Sequence, residues 1–177
     1  MSAEQKSWDQ PKDASFDDWM NSRVARLEDR SYDWNALKFQ ADYDPKYRRA
    51  QMRYIGTGAA GVSKDSSTVP AENFTFSTMV LPAHAEGPLH LHTDVEEVFF
   101  VMRGQKVKMI AEKDGERWEA IVGERDLISW PPGVYRGVQN LGDEDVLMLV
   151  MLGAAKPEIP SYPPSSPLAK IKRDLGR

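Results

Sequence analysis

The sequence predicts an all-β fold: one domain built as an antiparallel β-sandwich or barrel, with a helical extension on its N-terminal side. Nine short strand-like segments follow one another between residues 51 and 152, and each is bounded by glycine, proline or other turn-forming residues. Helices do not alternate with these segments, as they would in a parallel α/β fold. The 177 residues fit one core with room for an extension at either end.

Composition and charge exclude several classes of protein. Hydrophobic residues make up 41% of the chain and charged residues 28%, which is usual for globular proteins and not for disordered ones. The net charge of −4 provides no broad basic surface, so we expect no nucleic-acid partner. No apolar run approaches the ~20 residues of a membrane helix, and the polar N-terminus resembles no secretory signal. We predict a cytoplasmic protein with no membrane partner.

Residues 1–50 are predicted to form an N-terminal extension with one amphipathic helix at about 15–29. Ser15 has the spacing of a capping residue, with Asp18 three positions further on. One face of the helix carries a set of large apolar residues: Phe16, Trp19, Met20, Val24 and Leu27. We expect this stripe to pack on the barrel or on a second copy of the chain. A basic cluster of Arg48, Arg49 and Arg53 is interpreted as a solvated face.

Residues 51–155 are predicted to form the barrel. The predicted strands cover residues 51–56, 74–81, 89–93, 97–102, 105–111, 117–122, 126–130, 135–140 and 146–152. Residues 156–177 are predicted to be a proline-rich tail with a short basic ending.

Two histidines on one strand are the strongest sign of chemistry in the chain. Successive side chains of a strand point to opposite faces, so His90 and His92 project to the same side. Glu97 lies five residues beyond His92, which allows the chain to turn and bring its carboxylate beside the imidazoles. Because the chain has no cysteine, any metal must be held by nitrogen and oxygen ligands. The set suits Fe(II) foremost, and Mn, Ni, Co or Zn are also compatible with it.

This spacing resembles the first motif of the cupin superfamily. His90-Leu91-His92, four residues, Glu97, six residues and Gly104 reproduce the later part of that motif, while His84 stands where the family has its leading glycine. The resemblance covers roughly residues 74–152. It implies a single-domain cupin-type jelly-roll β-barrel of six to eight strands, with the ligands facing the interior.

A second stretch resembles the second cupin motif. Pro131-Pro132-Gly133, two residues, Arg136, three residues and Asn140 match its spacing. Arg125 replaces the glycine that opens the motif, unless Gly123 serves with a longer spacer. Arg136 occupies the place of the family's fourth ligand, a histidine. Because an arginine side chain stays protonated and offers no lone pair, Arg136 cannot coordinate a metal.

Two interpretations of Arg136 follow. In the first, a metal is held by His90, His92 and Glu97, and Arg136 anchors a substrate carboxylate or enolate beside the open positions. In the second, no metal is bound and Arg136 neutralises Glu97 across the barrel. Glu96 is the competing carboxylate, and strand alternation predicts that it faces away from Glu97.

The resemblance implies a small-molecule enzyme, and the preferred hypothesis is a mononuclear non-haem iron dioxygenase that acts on a small, anionic organic substrate. The alternatives are a non-catalytic, metal-free small-ligand-binding cupin and a cupin isomerase or epimerase, for which His84 or Tyr135 would have to act as the base. Five residues are candidates to line the pocket: His84, Phe99, Met109, Trp130 and Tyr135. Cupins commonly dimerise, and the apolar N-terminal stripe also favours a homodimer.

Overall fold

Two antiparallel sheets form the body of the molecule, for which a computed structural model describes residues 5–60, 62 and 64–176. The strands are β1 (Ala50–Ile55), β2 (Thr75–Leu81), β3 (Glu86–His90), β4 (Glu97–Arg103), β5 (Val107–Lys113), β6 (Glu116–Val122), β7 (Leu127–Trp130), β8 (Tyr135–Asn140) and β9 (Val146–Leu152). The helices are α1 (Phe16–Ser22), α2 (Lys38–Tyr43) and α3 (Pro167–Asp174), and short 3-10 turns lie at Leu27–Asp29 and Pro45–Tyr47.

The sheets have the strand orders β1-β2-β9-β4-β7 and β3-β8-β5-β6. Consecutive strands repeatedly join opposite sheets, as in a double-sheet jelly roll. The predicted all-β barrel is confirmed. Alternate residues of β9 point inward, so that Val146, Met148, Val150 and Leu152 are buried, and they pack in the core between the two sheets with residues such as Phe99 of β4.

The predicted strands at 135–140 and 146–152 coincide with β8 and β9. The largest difference concerns β3, which was predicted at 89–93 and runs from Glu86 to His90. Pro88 and Gly87 suggested a turn, but β3 is the edge strand of its sheet, where a missing backbone N–H is tolerated. Gly87 is required there because a Cβ would lie 2.8 Å from Val138 Cγ1.

The N-terminal helix is shorter than the predicted 15–29. Ser15 caps α1 as expected, by accepting a hydrogen bond from Asp18 N. The helix ends at Ser22, whose hydroxyl donates to the carbonyl oxygen of Trp19, and the backbone is extended again at Arg26. Phe16, Met20, Val24 and Leu27 are exposed, so the described chain supplies no surface that would sustain a longer helix.

The sequence analysis missed two helices, α2 in the N-terminal extension and α3 near the C-terminus. Ser166 caps α3 by accepting from Leu168 N, Pro167 occupies its first turn, and Leu168 is buried. Within the described residues, no helix has both the length and the apolar character needed to cross a bilayer. Residues 1–4 of the predicted extension and residue 177 of the predicted tail lie outside the described residues, and the division at 50 and 155 stays a prediction.

The two replaced motif glycines keep a glycine-type backbone. His84 has φ of 60° and Arg125 has φ of 71°, both in the left-handed region that non-glycine residues seldom adopt. Both positions therefore adopt a backbone conformation that a glycine would adopt without strain. Asn140, which also belongs to the second motif, has a structural role: its amide donates to the carbonyl oxygens of Leu81, Pro82 and Glu144 and so ties three chain segments together.

Candidate metal centre

His90, His92 and Glu97 converge at one end of the barrel. β3 ends at His90, but the extended backbone continues through Leu91, whose N–H and C=O both bond to Ser161 at 2.8 and 3.0 Å. Strand alternation is thereby maintained as far as His92, and the two imidazole centroids lie 5.4 Å apart. Glu97 begins β4. One ligand atom from each of the three residues lies within 4.8 Å of the others, which is close enough for one ion.

His90 is oriented by its own strand. Its Nδ1 lies 2.9 Å from the carbonyl oxygen of Pro88. A carbonyl oxygen can only accept, so Nδ1 carries the proton of this hydrogen bond and Nε2 keeps a free lone pair in the neutral ring. Nε2 lies 3.6 Å from Glu97 Oε2, on the side of the carboxylate. A histidine held in this way presents Nε2 for coordination, as metal-binding histidines usually do.

His92 is 2% exposed, and its Nδ1 has no hydrogen-bond partner in the described chain. Burial lowers the pKa of His92 to about 4, although the charge of Glu97 opposes this shift. The ring is therefore neutral near pH 7, which is the protonation state that binds metals. A buried ring nitrogen without a partner is also costly unless something occupies it, so the donor set fits a divalent ion.

Arg136 forms a buried ion pair with Glu97. Its Nε donates to Glu97 Oε2 at 2.6 Å, and the two residues are 0% and 4% exposed. Burial alone raises the pKa of Glu97, but its interactions with His90, Arg136 and His92 together lower it to about 2. Glu97 is thus ionised. Because a carboxylate has about four lone-pair sites, this hydrogen bond leaves room for coordination and fixes the orientation of Glu97.

The structure places Arg136 beside the metal-ligand set but not at the cavity wall. A cavity of about 60 Å³ lies against His90, His92 and Glu97, but Arg136 is not among the residues that line it. The guanidinium is held by Glu97 and by the carbonyl oxygen of Val134 at 3.3 Å, away from the open volume. The predicted contact across the barrel is present. Glu96 faces away as predicted, with its carboxylate accepting from Ser129 at the surface.

Of the five candidate pocket residues, only Phe99 lines this cavity. Met109 and Trp130 point inward but pack in the closed part of the core, and Tyr135 is half-buried on β8 outside the cavity. His84 lies at the other end of the barrel: it follows the Leu81 end of β2, whereas Glu97 pairs with Leu152 at the Thr75 end. His84 is exposed and lies 3.2 Å from Asp143.

The sequence analysis missed the polar residues that face the metal centre. Arg49, which directly precedes β1, and Gln51 and Arg53 of β1 occupy alternate positions and line the cavity, as does Gln40 of α2. Ala50 and Met52, between them, are buried on the opposite face. The alternation was visible in the sequence, but Arg49 and Arg53 were interpreted as a solvated face. Arg53 is ion-paired with Asp33 and Asp65 at 3.0 and 2.9 Å.

Acid is expected to destabilise the chelator-treated protein in two steps. The unfolded chain protonates His92 near pH 6.5 but the folded chain only near pH 4, so stability contributed by the neutral ring is complete above pH 6.5 and falls between these values. The expected loss is on the order of 3 kcal/mol. The pKa of Glu97 is about 2 in the folded chain and about 4.5 in the unfolded chain. Protonation of Glu97 therefore extends the loss of stability to lower pH.

Urea unfolding followed by circular dichroism at pH 7, 6, 5 and 4 measures the first step. His92→Gln is expected to flatten the profile between pH 6.5 and 4, and His84→Ala is expected to retain it because His84 is exposed. A wild-type profile that is flat over this range would contradict the buried neutral state of His92.

Comparisons with known proteins agree with this architecture. A family model described as "Cupin domain" matches residues 77–152. No curated protein sequence matches the chain. Among solved structures, Peruvianin-I, a cysteine peptidase from Thevetia peruviana latex, is 12% identical with a TM-score of 0.60, and the alignment covers 84% of this chain and 80% of that chain.

Two further structures are also similar. A cupin-2 domain protein from Rhodospirillum rubrum is 16% identical with a TM-score of 0.50, over 71% of this chain and 72% of that chain. An oxalate oxidase in complex with the substrate analogue glycolate is 16% identical with a TM-score of 0.47, over 59% of this chain and 57% of that chain, so the match spans little more than half of that protein. At these identities the likeness concerns the fold alone. The predicted resemblance to cupins is confirmed for residues 77–152, which match the cupin-domain model.

Proposed function

We propose that this protein is a metal-dependent cupin enzyme, a mononuclear non-haem Fe(II) dioxygenase acting on a small anionic organic substrate. The observation that carries the proposal is the convergence of two imidazoles and one ionised carboxylate, within 4.8 Å of one another, at the wall of a cavity. Two histidines and one carboxylate form the facial set that leaves positions open on iron. An Fe(II) ion bound there would supply the redox chemistry.

The protein's own residues supply orientation and exclusion of water. Pro88 fixes the tautomer and direction of His90, and Arg136 fixes the carboxylate of Glu97. The rest of the wall includes an apolar group of side chains: Met79, Phe99, Val138, Val150 and Leu152. These apolar side chains strengthen electrostatic interactions between the polar lining groups and a bound substrate, because they exclude water.

The charge of the cavity supports an anionic substrate. Glu97 is already neutralised by Arg136, and Arg49 adds a positive charge at the cavity wall. A bound divalent ion would increase the positive charge further. A negatively charged substrate would offset it, and a neutral or cationic one would not.

Metal analysis and oxygen uptake test the proposal together. Protein purified without chelator is analysed for metals, then stripped and titrated with Fe(II), Mn(II), Co(II), Ni(II) and Zn(II). Oxygen consumption is measured for the Fe(II)-loaded protein with a panel of small carboxylates. We expect one ion per chain and substrate-dependent oxygen uptake. A protein that takes up none of the five metals would end the proposal.

A second candidate function is favoured by the contact at Glu97. Its carboxylate accepts a 2.6 Å hydrogen bond from a fully buried guanidinium, which would also satisfy Glu97 in a metal-free, non-catalytic small-ligand-binding cupin. Such a protein would be stabilised by its ligand by RT ln(1 + [L]/Kd) without turnover. The isomerase alternative is disfavoured because neither His84 nor Tyr135 lines the cavity.

The homodimer also remains a proposal. It is supported by the exposed apolar residues of the N-terminal segment, with Phe16 62% and Leu27 67% exposed, which a second copy of the chain could cover. A molar mass in solution close to the 20.0 kDa of one chain would contradict it.

A further inference from the structure

Arg49 is a buried cation without a carboxylate partner. It is 7% exposed and precedes β1 directly. Its Nη1 donates to the carbonyl oxygen of Tyr47 at 3.2 Å, and no ion pair joins it to any acidic side chain in the described part of the chain. Burial lowers the pKa of Arg49 to about 10, so it is still charged near pH 7. Burying an unpaired charge is costly, and folded proteins rarely do so without a reason.

Two other inward-facing arginines of this region are paired with carboxylates. Arg136, the other fully buried one, bonds to Glu97, and Arg53 bonds to Asp33 and Asp65. Arg49 differs because it lines the cavity that holds the metal-ligand set, with donors left over after its single hydrogen bond to Tyr47. A guanidinium has five N–H donors in a fork that matches a carboxylate.

Gln40 is a second buried group with unused hydrogen-bonding capacity at the same cavity. It is 2% exposed, its Nε2 bonds to the hydroxyl of Tyr162, and its Oε1 has no partner in the described chain. A tyrosine hydroxyl can donate or accept, so the amide can turn and present either its oxygen or its NH₂ group. A buried amide with one free end is costly unless a ligand completes it.

The size of the cavity limits the ligand. Its volume of about 60 Å³ accommodates about four to six water-sized groups, at roughly 10–15 Å³ for each. A short carboxylate with one further polar group fits it.

We propose that Arg49 and Gln40 form a carboxylate-binding subsite in the cavity that His90, His92 and Glu97 also line, and that it selects short aliphatic carboxylates bearing a second polar group. The guanidinium of Arg49 binds the carboxylate of the ligand, and Gln40 forms a hydrogen bond with the second polar group of the ligand. The role of the subsite in a reaction rests on the proposed function. Binding of the carboxylate does not, because Arg49 and Gln40 are not metal ligands. Both residues lie outside the segment 77–152 that matches the cupin family, so the subsite is supplied by this chain's own extension.

Isothermal titration of the full-length protein, both chelator-treated and Zn(II)-loaded, tests the subsite with glycolate, its neutral analogue glycolamide, and benzoate. We expect binding of glycolate only. Arg49→Met is expected to weaken glycolate binding about 10- to 100-fold, because a hydrogen-bonded charge pair is lost. Arg49→Lys, which keeps the charge but not the fork, is expected to show an intermediate loss, and Gln40→Leu a smaller one.

Arg48→Met is the matched control. It removes the same charge from the neighbouring residue, whose exposed guanidinium lies 4.7 Å from the ring centroid of Trp34 and not at the cavity. Glycolate affinity is expected to change less than about 2-fold there, as for an exposed charge screened by solvent. The melting temperature of ligand-free Arg49→Met should equal or exceed that of wild type, whereas a purely structural arginine would give a lower one.

Three results would overturn the subsite: wild type that binds no glycolate in either form, equal affinity for glycolate and glycolamide, or unchanged glycolate affinity in Arg49→Met. The metal content of Arg49→Met is measured in parallel and should match wild type. Retained metal with unchanged glycolate binding rejects the subsite alone, while failure of wild type to take up metal rejects the proposed function alone.

Discussion

Replacing Arg136 with methionine is expected to lower the free energy of unfolding of the chelator-treated protein by about 3–5 kcal/mol. The substitution leaves the carboxylate of Glu97, which is only 4% exposed, without its 2.6 Å partner. Urea unfolding at pH 7 measures the loss. Arg117→Met is the matched control: its guanidinium bonds to Glu112 and Glu119 at the exposed surface, where ion pairs contribute little, so we expect a small change.

The same variant reports on the metal. If Glu97 coordinates an ion, the ion replaces the charge that Arg136 supplied, so the loss of stability should shrink after loading with Zn(II). An identical loss with and without metal would show that Glu97 is not a ligand. The double variant Arg136→Met, Glu97→Leu removes both charges and is expected to recover most of the stability, because an apolar pair can replace a buried ion pair at little cost.

Replacing His92 with alanine is expected to reduce metal content from about one ion per chain to almost none. The outer-shell partner of a metal ligand typically contributes 10–100-fold to affinity, and loss of a ligand itself should exceed that. Inductively coupled plasma mass spectrometry after incubation with Fe(II) or Zn(II) and gel filtration measures the content. The fold should persist, because Nδ1 of His92 has no hydrogen-bond partner in the described chain and the backbone carbonyl of His92, which accepts from Gly133 N, is retained.

His84→Ala provides the control for this measurement. It removes the same side chain from an exposed turn at the other end of the barrel, so metal content should equal that of wild type. Equal metal content in His92→Ala and wild type would place any bound ion elsewhere, and an equal loss in both variants would point to nonspecific binding by histidine.

Local periodicity was enough to predict that the three candidate ligands converge. It could not predict which side chains are buried by segments distant in sequence. The spacing of His90, His92 and Glu97 requires only strand alternation and one turn, both of which are local. The burial of Arg49 depends on α2 and on the segment around Pro160. Leu37, Gln40 and Pro160 line the cavity together with Arg49. An arginine on an edge strand looks the same in sequence whether or not other segments cover it.

For the N-terminal helix, local periodicity predicted more structure than the chain forms. The apolar stripe from Phe16 to Leu27 has a helical period, but short helices depend on packing for most of their stability. The described chain leaves this stripe exposed, and the helix stops at Ser22. Arg136 was an intermediate case, because sequence identified the residue and its two possible partners, while only the structure could place its guanidinium away from the cavity.

The paired hydrogen bonds between Leu91 and Ser161 show that the histidine segment depends on residues beyond the barrel. Leu91 separates the two histidines, and Ser161 lies beyond the last strand and beyond residue 152, where the family match ends. A chain truncated at residue 155 would keep every strand of the barrel. It would lose Ser161, the backbone hydrogen-bond partner of Leu91 between His90 and His92. For protein engineering, the functional unit therefore extends past the domain boundary that sequence comparison gives.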